Sequence, residues 1–63
     1  MTQKELAYVE DAIGHETNII KICNESMNYL EDNSLKDFLQ NEISIHTSMK
    51  EKLLNLLEVK VNE

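Results

Sequence analysis

The chain has no proline, no tryptophan and no arginine, one cysteine, one glycine and three aromatic residues among 63. Each shortage excludes something. Without proline, no helix here is stopped by a missing N–H or a ring clash. A single cysteine, Cys23, rules out an intramolecular disulfide, and no Cys/His cluster has the spacing of a structural zinc site. Twelve Asp and Glu face six Lys, for a net charge of -6. That balance argues against nucleic acid, whose phosphates are neutralised by Lys and Arg, and against an anionic membrane surface. The charges are interspersed as on solvated helix faces, so acidity chiefly implies solubility. No apolar run approaches the ~20 residues that span a bilayer. The opening residues lack the apolar core of a signal peptide. With a free thiol, this gives the expectation of a reducing, cytoplasmic setting. Gly-rich phosphate loops and nucleophile elbows are missing, and the lone thiol has no orienting constellation, so the chain reads as non-enzymatic.

What is present is helical periodicity. Leu6, Val9, Ile13, Glu16, Ile20, Cys23, Met27 and Leu30 recur at alternating steps of three and four. A second register runs through Leu35, Leu39, Glu42, His46, Met49, Leu53 and Leu56. Such spacing puts each set on one stripe of a helix. Thr2 and Glu5 have the spacing of a capping box. The first helix is predicted from about residue 3 to 31 and the second from about 35 to 58, with Lys60–Glu63 fraying. The turn falls at 32–34. Ser34 with Asp37 resembles a capping arrangement, and Asp32 and Asn33 are alternative caps. Gly14 lies mid-helix, either tolerated there or admitting a neighbouring helix close to Glu16.

So short a connection predicts an antiparallel hairpin in one all-α domain spanning 1–63. A chain this short buries little core and needs a staple. The apolar stripes are also wide. Ala12, Ile19 and Ser26 are placed on one side of the first seam and Tyr8, Ile22 and Tyr29 on the other. Phe38, Ile45 and Val59 flank the second, with Ile43 and Leu57 opposite. The expectation is a homodimer of hairpins forming a ferritin-like four-helix bundle. Its interface is assigned to Ile13, Ile20, Cys23, Met27, Leu39, Ile45, Met49 and Leu53.

Three polar residues interrupt the stripes. Glu16, Glu42 and His46 stand where a charge is costly unless paired, hydrogen-bonded, metal-bound or neutralised. In a hairpin turning near Asn33, residue i lies level with roughly 65 minus i. Glu16 then faces Met49 and lies about 5 Å along the axis from His46, within reach of a shared hydrogen bond. Glu42 lies roughly 10 Å from Glu16, too far for one ion within a single hairpin. A structural Glu16–His46 pair that fixes register is the leading reading. The alternative is a two-metal carboxylate bundle built from Glu16 and His46 of both subunits, holding Fe, Mn or Zn. Glu42 reads as a solvated edge residue and His15 as a boundary residue. Cys23 reads as a small buried hydrophobe.

The run from Glu5 to Glu16, ELAYVEDAIGHE, resembles the opening of small clostridial and bacillar proteins related to spore coat protein F. The similarity continues through Ile19–Cys23, Leu35–Leu39 and Leu53–Leu57. It implies a ferritin-like helical fold and a spore-associated structural role, with coat proteins as partners. Where the family has an acidic residue or His, two spacers and His, this chain has His46 and Met49. Methionine suits Cu(I) and is a poor ligand for Fe or Mn in a carboxylate site, so no resident metal is expected. A competing reading is a small helical regulator that docks on a partner protein. In the two-helix aspartyl-phosphate phosphatases a Ser and an Asp are three spacers apart; here Ser34 and Asp37 are two apart.

Overall fold

A computed structural model describes residues 1–62 as two helices packed side by side. Helix α1 spans Gln3–Met27 and helix α2 spans Asn33–Val61, and the described residues contain no strand. The hairpin is a slender rod with extents of 47 × 15 × 11 Å.

The ends of the helices follow from local hydrogen bonding. Thr2 caps α1 through a reciprocal box: Glu5 N–H donates to the Thr2 hydroxyl at 3.0 Å, and Thr2 N–H donates to the Glu5 carboxylate at 2.8 Å. The Thr2 N–H, then its hydroxyl, hold the Glu5 carboxyl below the usual carboxylate range. Helix α1 stops at Met27, four residues before the expected end. The N–H groups of Asn28, Tyr29 and Leu30 donate to carbonyls three residues back, at 3.2, 3.0 and 3.4 Å. This tighter winding ends the α pattern. It releases residues 28–32 to cross the 8–10 Å between packed helix axes.

Asp32 is the cap of α2, its carboxylate accepting from Leu35 N–H at 3.0 Å. Ser34 and Asp37 do not have that role. Helix α2 starts at Asn33 and continues to Val61, so Lys60 and Val61, expected to fray, are helical. Lys60 sits in the last turn, where a cation complements the helix dipole. Glu63 lies outside the described residues.

The first seam follows the expected register, with heptad positions a at Leu6, Ile13, Ile20 and Met27 and d at Val9, Glu16, Cys23 and Leu30; all are buried or half-buried. The seam of α2 is displaced from expectation. Half-buried positions of α2 are Lys36, Leu39, Ile43, His46, Lys50, Leu53 and Leu57 at a and d, with Glu42 and Thr47 beside them. Leu35, Met49 and Leu56, expected in the seam, are exposed. The expected set mixed position d (Leu39, His46, Leu53) with position g (Leu35, Glu42, Met49, Leu56), and both pairings run in steps of three and four. The a positions Ile43 and Leu57, expected to flank the seam, lie in it together with Lys36 and Lys50. Lysine lines a seam with its aliphatic stem and keeps its ammonium in water.

Among the described residues only Glu16 and Cys23 are buried, and no side chain is wholly enclosed. Two helices provide one seam and no interior. Gly14 carries no special backbone demand: its φ is not positive, and a Cβ added there would meet nothing within 4 Å. The close-approach reading of Gly14 is therefore set aside within the hairpin. Gly14→Ala is expected to stabilise the fold by up to about 1 kcal/mol through helix propensity alone. Chemical denaturation of the two proteins at equal concentration measures it.

Candidate functional site

Glu16 on α1 and His46 on α2 meet across the seam, with His46 Nδ1 at 2.5 Å from Glu16 Oε2. Residues whose numbers sum to about 62 are therefore level, a turn closer to the loop than expected, so Glu16 faces His46 and not Met49. The other imidazole nitrogen, Nε2, lies 3.3 Å from Glu42 Oε2, one turn earlier on α2. Glu42, expected at a solvated edge, instead turns back onto His46, with its side chain 31% exposed. An i, i+4 spacing carries that contact in the sequence; it was obscured because Glu42 was considered only against Glu16.

A neutral imidazole has one N–H and one acceptor nitrogen. Here both nitrogens face carboxylate oxygens, so the arrangement calls for two N–H donors and hence an imidazolium. The hydrogen bond to Glu16 is the chief reason the His46 pKa lies above its ordinary value of 6.5, with the charges of both glutamates adding to it and burial opposing. Glu16 is thereby satisfied although its side chain is only 11% exposed, and no buried side-chain polar atom of the described residues lacks a partner.

The same geometry bears on metal chemistry. Glu16 and Glu42 flank opposite edges of one ring, so the three side chains do not converge on a point as ligands must. Among the described residues no group of three His, Cys, Asp or Glu is placed to hold a metal ion. His15 is exposed and apart from this cluster. Met49 is exposed at position g and does not continue a His46–Met49 ligand pair towards Glu16.

A second feature lies beside the seam. Ten of the twelve exposed large hydrophobic residues fall on positions c and g, with exposures from 43% to 87%. On α1 and the residues flanking it they are Met1, Tyr8, Ile22 and Tyr29; on α2 they are Leu35, Phe38, Ile45, Met49, Leu56 and Val59. Leu54 and Val61, at position e, are the other two. Positions g and c are four residues apart, about 40° around a helix of 3.6 residues per turn. The sets Ala12, Ile19, Ser26 and Tyr8, Ile22, Tyr29 therefore share one side of the seam, not opposite sides as expected. Because the helices are antiparallel, the g edge of α1 borders the g edge of α2. A groove shows this directly: Met1 together with Glu5, Tyr8 and Val9 of α1 lines it with Leu56 and Lys60 of α2, around a volume of about 420 Å³.

The opposite side of the hairpin carries Lys4, Glu10, Asp11, Asn18, Lys21 and Glu25 on α1. On α2 it carries Asp37, Ser44, Ser48, Glu51, Asn55 and Glu58. Of the residues assigned to a dimer interface, Ile13, Ile20, Met27, Leu39 and Leu53 are half-buried in the seam of one hairpin and Cys23 is buried there. Ile45 and Met49 stand on the exposed apolar face.

No known protein family, curated protein or solved structure matches this chain.

The His46 geometry gives a signed pH dependence. The folded pKa is raised above an unfolded value near 6.5, so between the two the folded state holds the extra proton. The stabilisation is complete below about pH 6.5 and is lost as pH rises through the raised value. The groups facing His46 are Glu16 from α1 and Glu42 from its own helix. Denaturation midpoints are expected to fall from pH 6 towards pH 9, and His46→Gln to flatten that slope.

Proposed function

We propose that this protein is a non-catalytic association module that works as a homodimer, two hairpins packing into a four-helix bundle. The observation that carries this reading is the apolar face formed by positions c and g. A contiguous apolar patch rimmed by polar residues marks an interaction surface. A rod with two buried residues gains little from its own seam, and a second hairpin supplies the missing side of a core. The charge distribution agrees. The acidic residues that would repel another copy sit mainly on the polar face, whereas the c and g positions within α1 and α2 carry only Glu5, His15, Glu42 and Lys52 as titratable groups besides Tyr8.

The resemblance of the Glu5–Glu16 run to spore coat protein F-like chains supports a structural place for such a module in a spore-associated assembly. The Glu16–His46–Glu42 chain supports a role in fixing helix register, as a buried polar residue does in a coiled coil. Among the described residues no helix is long and apolar enough to cross a membrane.

Sedimentation equilibrium tests the dimer. The expected mass is twice the 7.3 kDa of the chain, with a thermal midpoint that rises with protein concentration. Ile45→Glu on the apolar face is expected to shift the equilibrium to monomer, and Ser44→Glu on the polar face to leave it unchanged. A stable monomer at all concentrations would overturn the reading.

A further inference from the structure

The apolar stripe of α2 has a symmetry that its seam lacks. Its members alternate between g and c from Leu35 to Val59, and α2 (Asn33–Val61) has its midpoint at residue 47. Reversing the helix about that midpoint pairs residues whose numbers sum to 94. Leu35 then exchanges with Val59, Phe38 with Leu56, and Ile45 with Met49. The two charged members of the stripe, Glu42 and Lys52, exchange with each other. Shifting the register by one heptad either way leaves both charges opposite apolar residues.

From this charge complementarity we propose that the occupant of the apolar face is a second copy running antiparallel. In this arrangement α2 packs against α2 of the partner in the register that sets Lys52 against the partner's Glu42. The proposal rests on the dimer reading and deepens it. A two-fold axis perpendicular to the helices places α1 beside the partner's α1 and α2 beside the partner's α2, with the two turns at opposite ends. The alternative axis, along the rod, puts both turns at the same end and pairs α1 with the partner's α2. Only the first arrangement brings Glu42 and Lys52 together.

The groove at the open end of the hairpin provides a second observation. It lies on the same face and is bordered by Glu5, Tyr8 and Leu56. The opposite end of that face presents Tyr29, 87% exposed, and Phe38. The antiparallel arrangement carries the turn end of one copy over the open end of the other. The partner's Phe38 falls at Leu56 and the partner's Tyr29 at the level of Met1, which also lines the groove. Each groove of about 420 Å³ is then filled by aromatic rings from the other chain. Glu42 also holds His46 at 3.3 Å, so the pair with the partner's Lys52 would extend one line of charges, Glu16–His46–Glu42, from the seam into the interface.

Disulfide trapping tests the register. Leu35 and Val59 are at opposite ends of α2, separated by about 36 Å at 1.5 Å per residue, so cysteines at those two positions cannot bridge within one chain. The variant Leu35→Cys/Val59→Cys, oxidised with glutathione disulfide, is expected to run as a covalent dimer that reducing agent dissolves. Wild type, which has only the buried Cys23, and Leu35→Cys alone are expected to remain uncrosslinked. Circular dichroism confirms that each variant keeps its helices. A sedimenting dimer without the 35–59 bridge would overturn the antiparallel register while leaving the dimer reading intact. Efficient bridging of Leu35→Cys alone would assign the arrangement with both turns at one end. A monomer by sedimentation would sink the register and the dimer reading together.

Discussion

A pair of helices can bury only the seam between them. Everything else about this chain follows from that constraint. Alternating apolar positions on α1 and α2 close one seam, and the result encloses just Glu16 and Cys23 among the described residues. Conformational entropy of order 1.5 kcal/mol per ordered residue opposes the fold throughout. The sequence nevertheless spends most of its large apolar side chains outside the seam. They are gathered mainly on one side of the hairpin, and the other side is polar apart from Leu54 and Val61. On the proposed reading, a folded rod with that asymmetry is half of a core that another rod of the same kind completes.

The ionic line through the seam gives the rod its register. His46 stands between two carboxylates, each nitrogen directed at one of them. An apolar seam of alternating threes and fours tolerates slippage by a heptad with little loss of burial. A buried carboxylate with one possible partner does not tolerate it, because a shift of one turn strands a charge in the seam. Within one hairpin the donors of this cluster point away from one another around the ring. Its geometry is that of one imidazole held between two carboxyl groups.

The parts legible in the sequence were those encoded by strong local pattern. Thr2 and Glu5 announced their capping box, the α1 register could be read directly, and Glu16 and His46 were recognisable as polar residues in apolar stripes. The α2 register was not legible in the same way. Its d positions are flanked by a plausible apolar row on each side, and Lys36 and Lys50 disguised the row that packs inside the hairpin. That ambiguity is physical: α2 has two seams, one turned to α1 and one turned outward. Reading them as one stripe moved Met49 to the wrong face. The early end of α1 had no residue signal, because Met27 and Asn28 do not differ in kind from the residues before them. What stops the helix is the need to cross to α2 in five residues.

The account's central claim is that a second copy covers the outward seam. Isotope-filtered NMR on an equal mixture of labelled and unlabelled protein tests it most directly, since only contacts between chains are seen. The account predicts intermolecular nuclear Overhauser effects between the methyl groups of Ile45 and Met49, and between those of Leu35 and Val59, with the polar face silent. Intermolecular contacts confined to the polar face, or none at concentrations where the protein is fully folded, would contradict it.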